Sequence, residues 1–317
     1  MNILFMGTPD FAKESLEKIY ETGHNILAVV TNPDKPNGRG MKLVASPVKE
    51  FALEKEMTIY QPEHVKNNTE FIETIKKLNP DVICVVAYGK ILPKEILEIP
   101  KFGCINVHAS LLPKYRGAAP IQWAVINGEK TTGVTTMYMD ETMDTGDMIL
   151  KKEIEIGEEE TTGELWNRLS KIGGKLLVET LEKIENDTAP RIKQEGEFSM
   201  APMLNKKMGK IDWDEMTANQ IKNLARGLDP IMGAYTFYEG KKIKLWKIKI
   251  IENLQDKFKE IPNGTVLEAN DKSGLKIKAK DAIIEVIEIQ GENAKRMNIN
   301  DYLRGNKIKE GSHWGRL

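Results

Sequence analysis

The first 110 residues alternate short apolar runs with stretches of helical periodicity, and this alternation constrains the fold more than any other feature of the chain. Residues 2–6, 26–31, 59–61, 81–86 and 104–108 read as strands. Between them, Phe11, Leu16, Ile19 and Tyr20 share a helical face that ends at Gly23, and residues 47–56 suit a short helix. Phe71, Ile72, Ile75 and Leu78 make a third helical face, with Thr69 as its expected cap. Parallel strands need a crossover connection between them, so this spacing predicts an α/β fold built on a doubly wound, mostly parallel sheet. Ligands of such sheets sit beyond the carboxyl ends of the strands. The first strand-to-helix turn is Gly7-Thr8-Pro9-Asp10. Pro9 stands where a dinucleotide fold has its second glycine, and it has no N–H to offer a phosphate. That argues against a nicotinamide-dependent oxidoreductase.

Residues 103–128 carry the densest chemistry. Asn106 and His108, two apart on one expected strand, point to the same face. An amide beside an imidazole makes a candidate polar site, although a histidine making a structural hydrogen bond in a βα unit fits the same pattern. The loop that follows is punctuated by Pro113 and Gly117 and made basic by Arg116. Further on, residues 140–147 form an acidic loop between strand-like runs at 133–139 and 148–156. A carboxylate from that loop reaching His108 would fix its tautomer and orientation; as a plain turn residue, Asp144 would instead cap Gly146 or Asp147. The spacing of Asp140, Asp144 and Asp147 matches no calcium loop, and no Cys/His cluster has zinc spacing, so no metal is expected.

The second half reads differently. A capping box at 161–164 opens a long helix with Leu165, Leu169, Ile172, Leu176 and Ile184 on one stripe. Pro190, Gly196, Pro202 and Gly209 then mark a linker. Beyond it, a helix at 217–226 is followed only by strands, at 234–238, 241–251, 264–268, 275–279 and 282–289, which suggests a small β-barrel. In residues 275–280 lysines alternate with apolar residues, and in 241–250 the alternation slips at Leu245-Trp246 as at a β-bulge. Across that bulge Lys242, Lys244, Lys247 and Lys249 can share one outer face. The net charge of −1 hides an asymmetry: 24 Lys and Arg against 31 Asp and Glu through Asn205, then 22 against 16 from Lys206 onward. Charge alone fits a solvated surface as well as a nucleic-acid grip. No apolar run approaches the ~20 residues of a membrane helix, no signal peptide is expected at Met1, and Cys84 and Cys104 read as buried reduced thiols of a cytoplasmic protein.

Several motifs occur in order along the whole chain. They are Phe5-Met-Gly-Thr-Pro-Asp-Phe11, Ser46-Pro-Val-Lys49, Val85-Val-Ala-Tyr-Gly89, Asn106-x-His108, Ser110-Leu-Leu-Pro-Lys-Tyr-Arg-Gly117, Met143-Asp-Thr-Gly-Asp147 and Ile211-Asp-Trp213. In these the sequence resembles the formyltetrahydrofolate-dependent formyltransferases. The resemblance implies a Rossmann-like formyltransferase domain over residues 1–189, a basic linker over 190–209, and an OB-like, RNA-binding barrel over 210–317. It implies formyl transfer from 10-formyltetrahydrofolate to the α-amino group of methionyl initiator tRNA, with no metal and no membrane, by a monomer. The catalytic residues it implies are Asn106, His108 and Asp144, the first two donating to the oxyanion and the third orienting His108 and relaying a proton. The folate would meet Val86, Ala87, Tyr88, Gly89, Ser110, Leu111, Leu112, Pro113 and Asp140. The tRNA would meet Lys35, Arg39 and Lys42 in a long loop at 32–46, Lys206, Lys207 and Lys210 in the linker, and Lys242, Lys244, Lys247 and Lys249 on the barrel. On composition alone the 32–46 loop is equally a disordered surface loop.

Two other functions remain in view. A formyltransferase for a small amine, such as a purine ribonucleotide or an amino sugar nucleotide, would need neither the basic loop nor the lysine-faced barrel. A non-catalytic RNA-binding protein on the same fold would not need Asn106, His108 and Asp144 together.

Overall fold

The apolar runs of the first half assemble into one seven-stranded sheet in the computed structural model, which describes residues 1–37, 42–251 and 256–315. The elements in order are β1 (Asn2–Gly7), α1 (Asp10–Glu21), β2 (Asn25–Val30), β3 (Lys35–Asn37), β4 (Lys42–Val44), α2 (Pro47–Glu54), β5 (Ile59–Tyr60), α3 (Thr69–Leu78), β6 (Val82–Val86), α4 (Lys94–Leu97), β7 (Cys104–His108), α5 (Pro120–Ile126), β8 (Thr131–Tyr138), β9 (Met148–Glu155) and α6 (Thr162–Glu185). The sheet runs β5-β2-β1-β6-β7-β8-β9. Its first five strands pair in parallel, and β8 and β9 add antiparallel. The strand order reverses between β1 and β6, which places a crevice at their carboxyl ends. Gly7 closes β1 there for reasons of packing: a Cβ on it would stand 2.6 Å from the Ala12 Cβ and 2.9 Å from the Val86 carbonyl oxygen.

Leu4, Met6, Ala28, Val30, Phe71, Ile75, Ile83, Val85 and Tyr88 belong to one buried cluster of this part of the chain. Cys84 and Cys104 are free and buried. The cap of α3 differs from the expectation: Asn68, one residue before Thr69, accepts from the Phe71 N–H at 3.0 Å, and Thr69 is already helical. The capping box at 161–164 forms, with Thr161 and Glu164 exchanging hydrogen bonds. Residues 35–37 and 42–44 of the long loop pair as a short antiparallel hairpin.

The chain divides into two compact units: Met1–Pro120, Thr131–Glu155 and Leu165–Pro202 form the first, and Ile121–Lys130, Ile156–Glu164 and Met203–Leu317 the second. Residues 192–201, within the expected linker, bond to the first unit: Ile192 bridges Met148, and Met200 bridges Arg116. The 156–164 segment is drawn into the second unit by buried Arg226, whose Nη1 donates to the Gly157 and Glu160 carbonyls, and by Thr162, whose Oγ1 donates to the Gly227 carbonyl.

In the second unit a single turn of 3-10 helix (Lys206–Gly209) precedes α7 (Ala218–Gly227), which a Thr217/Gln220 capping box opens. Then follow β10 (Ala234–Tyr238), β11 (Lys241–Ile251), α8 (Asp256–Lys259), β12 (Val266–Asn270), β13 (Gly274–Lys278), β14 (Ile283–Gln290), β15 (Met297–Asn298) and α9 (Ile299–Gly305). The antiparallel order is β10-β11-β14-β13-β12, with β15 on β14. Residues 314 and 315 link the two outer strands: the Gly315 N–H donates to the Phe237 carbonyl within β10, and the Trp314 N–H to the Gly264 carbonyl ahead of β12. The slip in β11 is present, for Leu245 and Trp246 are both buried and the register shifts around Lys247. Two expectations need correction. The strands-only pattern beyond residue 226 omits α8 and α9, and Ile299 of α9 packs into the core with Tyr302 and Leu303 beside it. Lys278 does not belong to a solvated row. It is only 4% exposed, its Nζ donates to the Asn263 Oδ1 at 2.6 Å, and burial pushes its pKa down.

Candidate active site

Asn106 and His108 face Met137 and Thr135 across the β7–β8 ladder, so both side chains leave the sheet on one face. Asn106 is half-buried, and no side-chain hydrogen bond engages its amide among the described residues. His108 is 6% exposed, and each of its ring nitrogens faces an acceptor oxygen. Its Nε2 lies 2.8 Å from the Tyr115 carbonyl oxygen, and its Nδ1 lies 3.6 Å from Asp144 Oδ2. A carbonyl only accepts, so Nε2 carries the hydrogen of the first contact. The Asp144 carboxylate is itself anchored, accepting from the Gly117 N–H at 2.8 Å. Residues from β7, the 110–117 loop and the 140–147 loop therefore meet around one imidazole.

The two loops are tightly built. Thr135 Oγ1 donates to the Ser110 carbonyl and accepts from the Leu112 N–H, Ser110 Oγ donates to the Lys114 carbonyl, and Lys151 Nζ donates to the Leu112 carbonyl. Tyr115 and Asp144 take φ of +60° and +56°, the left-handed region that residues with a Cβ enter at a cost. Gly146 has no alternative there: a Cβ would stand 1.8 Å from the Tyr138 carbonyl oxygen.

The residues assigned to folate by resemblance are distributed unevenly. Val86 is buried at the end of β6, and Ala87 and Gly89 turn the chain away through φ of +44° and +77°. Asn32 Nδ2 donates to the Tyr88 carbonyl at 2.8 Å, which pins this turn to the end of β2. The Tyr88 ring is buried, and burial pushes its hydroxyl up to about 12. Ser110 and Leu112 are buried, the latter against Met137 and Met148, whereas Leu111 and Pro113 are half-buried. Burial thus withdraws the side chains of both Tyr88 and Leu112 from a ligand, and the Leu112 backbone is itself bonded at both N–H and carbonyl. Asp140 is exposed and its carboxylate accepts from the Thr142 N–H and hydroxyl and from the Thr145 hydroxyl. Among the described residues, no group of three or more His, Cys, Asp or Glu side chains is placed to hold a metal ion.

The basic residues fall into distinct sets. Arg39 lies outside the described residues; Lys35 is exposed at the hairpin and Lys42 begins its second strand. Lys206, Lys207 and Lys210 are exposed. Lys242 Nζ sits 3.6 Å from the Tyr235 ring centroid and Lys244 Nζ 5.2 Å from that of Trp246. Burial, then the charges of Lys242 and Lys206, hold the Lys244 ammonium below its ordinary pKa. Lys247 and Lys249 are exposed but stand opposite Glu288 and Glu285 in the β11–β14 ladder. Sequence reasoning missed Tyr115, which meets His108 through a carbonyl, and Gln194, which bonds the loops around it; hydrogen bonds made to backbone leave no spacing signal.

Three comparisons bear on this arrangement. A family model described as formyl transferase matches residues 1–181, and one described as formyl transferase, C-terminal domain, matches residues 203–307. The chain is 52% identical over 313 residues to the methionyl-tRNA formyltransferase of Caldanaerobacter subterraneus subsp. tengcongensis, covering 98% of this chain and 99% of that protein. It is 53% identical over 312 residues to the methionyl-tRNA formyltransferase of Clostridioides difficile, with the same coverage. The fold is similar to HypX from Aquifex aeolicus in complex with tetrahydrofolic acid, at a TM-score of 0.65 and 16% identity over 98% of this chain and 50% of that one. It is also similar to WlaRD, a sugar 3N-formyl transferase, at a TM-score of 0.65 and 19% identity over 93% of this chain and 99% of that one.

Proposed function

The chain belongs to the formyl transferase family, and from that premise we propose that it transfers the formyl group of 10-formyltetrahydrofolate to the α-amino group of methionyl initiator tRNA, for translation initiation in the cytoplasm. Relatives about half identical over the whole chain support the acceptor. The observation that carries the chemistry is the meeting of His108 and Asp144 within 3.6 Å, on the face of β7 that presents the unpartnered Asn106 amide.

The reaction moves one carbonyl between two nitrogens. An α-amino group with a pKa of roughly 7.7–8.0 is partly neutral at physiological pH and attacks the formyl carbon. The formyl oxygen becomes an oxyanion, and donors aimed at that charge lower the barrier. The Asn106 Nδ2–H is free to be one. His108 supplies the other through Nε2–H, which leaves the Tyr115 carbonyl for the oxyanion because a charged acceptor makes the stronger bond. The attacking nitrogen then gives up a proton as the C–N bond to folate breaks, and the folate nitrogen takes one up. The Asp144 carboxylate, facing Nδ1 across 3.6 Å, orients His108 and relays that proton by way of water. The folate donor fits the crevice end of β6, where Val86–Gly89 offers backbone beside Asn106, opposite Val85 in the β6–β7 ladder. The 3′ end of the tRNA is held near the reaction by the hairpin with Lys35 and Lys42 and by Arg39. Its remaining phosphates meet Lys206, Lys207, Lys210, Lys242, Lys244, Lys247 and Lys249.

The test is to incubate the protein with 10-formyltetrahydrofolate and methionyl-tRNA, initiator or elongator, beside an amino sugar nucleotide. Formyl-methionine on initiator tRNA is expected. Formylation of the sugar alone would overturn the acceptor assignment.

A further inference from the structure

Gln194 lies fifty residues beyond Asp144 and belongs to none of the motifs above, yet it is bonded to both loops that hold His108. Its Nε2 donates to the Asp144 carbonyl at 2.8 Å and to the Gly146 carbonyl at 2.9 Å. Its Oε1 accepts from Arg116 Nε at 3.0 Å and Nη2 at 2.7 Å. The orientation of the amide follows from its partners, since two carbonyls can only accept and a guanidinium can only donate. One side chain thus reaches the residue that faces Nδ1 and the neighbour of the residue whose carbonyl takes Nε2.

The segment around it continues the pattern. The Tyr115 N–H donates to Ser199 Oγ and the Arg116 N–H to the Ser199 carbonyl, each at 2.9 Å. The Ala201 N–H donates to the Arg116 carbonyl at 2.7 Å, and the Ala119 N–H to the Ala201 carbonyl. A Cβ on Gly117 would stand 2.7 Å from the Ala201 carbonyl oxygen, so the segment lies directly against the loop. Side chains alternate over residues 198–201, with Ser199 and Ala201 turned inward and Phe198 and Met200 exposed; earlier in the segment, Gln194 also turns inward. Residues 192–201 therefore form a strap whose inward groups are spent on the backbone of the two reactive loops.

We propose that Gln194 is a positioning residue: it holds Asp144 in its left-handed conformation, ties that loop through the Arg116 guanidinium to the one carrying Tyr115, and thereby sets the distance and angle at which Asp144 meets His108. This rests on the catalytic reading of Asp144 given above. The left-handed conformation is not one that a residue with a Cβ prefers, so Asp144 needs an external hold. Only an amide serves here. A carboxylate would place charge against two carbonyl oxygens, and an apolar side chain would satisfy none of the four partners.

The test uses the full-length protein with Gln194→Met, Gln194→Glu and Asp144→Asn, singly and with Gln194→Met combined with Asp144→Asn. Losing such a support lowers turnover by about 10–100-fold. The expectation for Gln194→Met is that loss in kcat, KM for folate within about threefold, and an altered shape of the kcat/KM–pH profile. In the Asp144→Asn background it should cost nothing more. Gln194→Glu keeps the Arg116 bond and the side-chain size, so it tests the donor arm should the methionine variant fail to fold; the same loss is expected. Wild-type turnover in either variant, or a loss that adds in full to that of Asp144→Asn with an unaltered pH profile, overturns the proposal and leaves the strap a purely structural element. Wild-type turnover in Asp144→Asn alone would instead overturn the catalytic reading.

Discussion

His108 and Asn106 differ in what else they hold, and that difference makes their roles separable. Among the described residues the Asn106 amide has no hydrogen-bond partner to lose, so Asn106→Ala should lower kcat by roughly 10²–10³ while leaving the melting temperature unchanged. His108→Ala removes the same kind of donor but also frees the Tyr115 carbonyl and Asp144, so turnover and thermal stability should fall together. Paired kinetic and calorimetric measurements check both; a large loss of stability in Asn106→Ala would contradict the free-donor assignment. At this scale the sequence is legible where periodicity decides geometry, since two residues on a strand must share a face. Asp144 is legible only through resemblance, because nothing in the spacing says that a loop 36 residues on returns to β7. Gln194 is not legible at all: its Nε2 partners are carbonyls, which every residue has, and nothing in the spacing pairs it with Arg116.

At the scale of elements, two substitutions test why the chain takes these local forms. Asn68→Ala should cost about 1 kcal/mol in denaturant unfolding, the ordinary cost of a lost helix cap, whereas Thr69→Ala should cost much less. The two residues look equally suitable in sequence, and only the backbone of the preceding turn selects between them. Gly146→Ala should cost about 1–3 kcal/mol, as over-packing does, because its Cβ would collide with the Tyr138 carbonyl. It should also depress turnover, since relief of that clash displaces Asp144. A fully active, fully stable Gly146→Ala protein would show that the loop has slack. The strands of the parallel sheet are legible because long apolar runs separated by helical patterns admit few arrangements. The burial of Lys278 is not, because alternation cannot tell a solvated lysine from one that finds an Asn263 side-chain carbonyl to bond. Helix α9 is obscured by its shortness and by Gly305 at its end.

At the scale of the whole molecule, the basic surplus of the second half resolves into cations of unequal worth. Lys242 and Lys206 both act on the Lys244 ammonium, and Lys242 and Lys244 lie beside aromatic rings, an arrangement that phosphate would relieve. Lys247 and Lys249 already face glutamates. Affinity for tRNA should therefore fall steeply with salt, and alanine at the first three positions should flatten the slope of log K against log salt by about 0.7–0.9 for each phosphate that goes unneutralised. Alanine at Lys247 and Lys249 should change it less. Equal effects from both sets would mean that the glutamates do not compete. The charge asymmetry is legible from counting, but its division into competent and compensated lysines requires the register of β11 against β14. On the proposed reading, binding delivers the acceptor amine, and the chemistry then falls to the same few atoms around His108. The most direct measurement is single-turnover formylation of methionyl initiator tRNA, at saturating 10-formyltetrahydrofolate, by the wild-type protein and by Asp144→Asn. The account predicts a rate at least about a hundredfold lower in the variant with tRNA affinity unchanged. A rate within about threefold of wild type would contradict it.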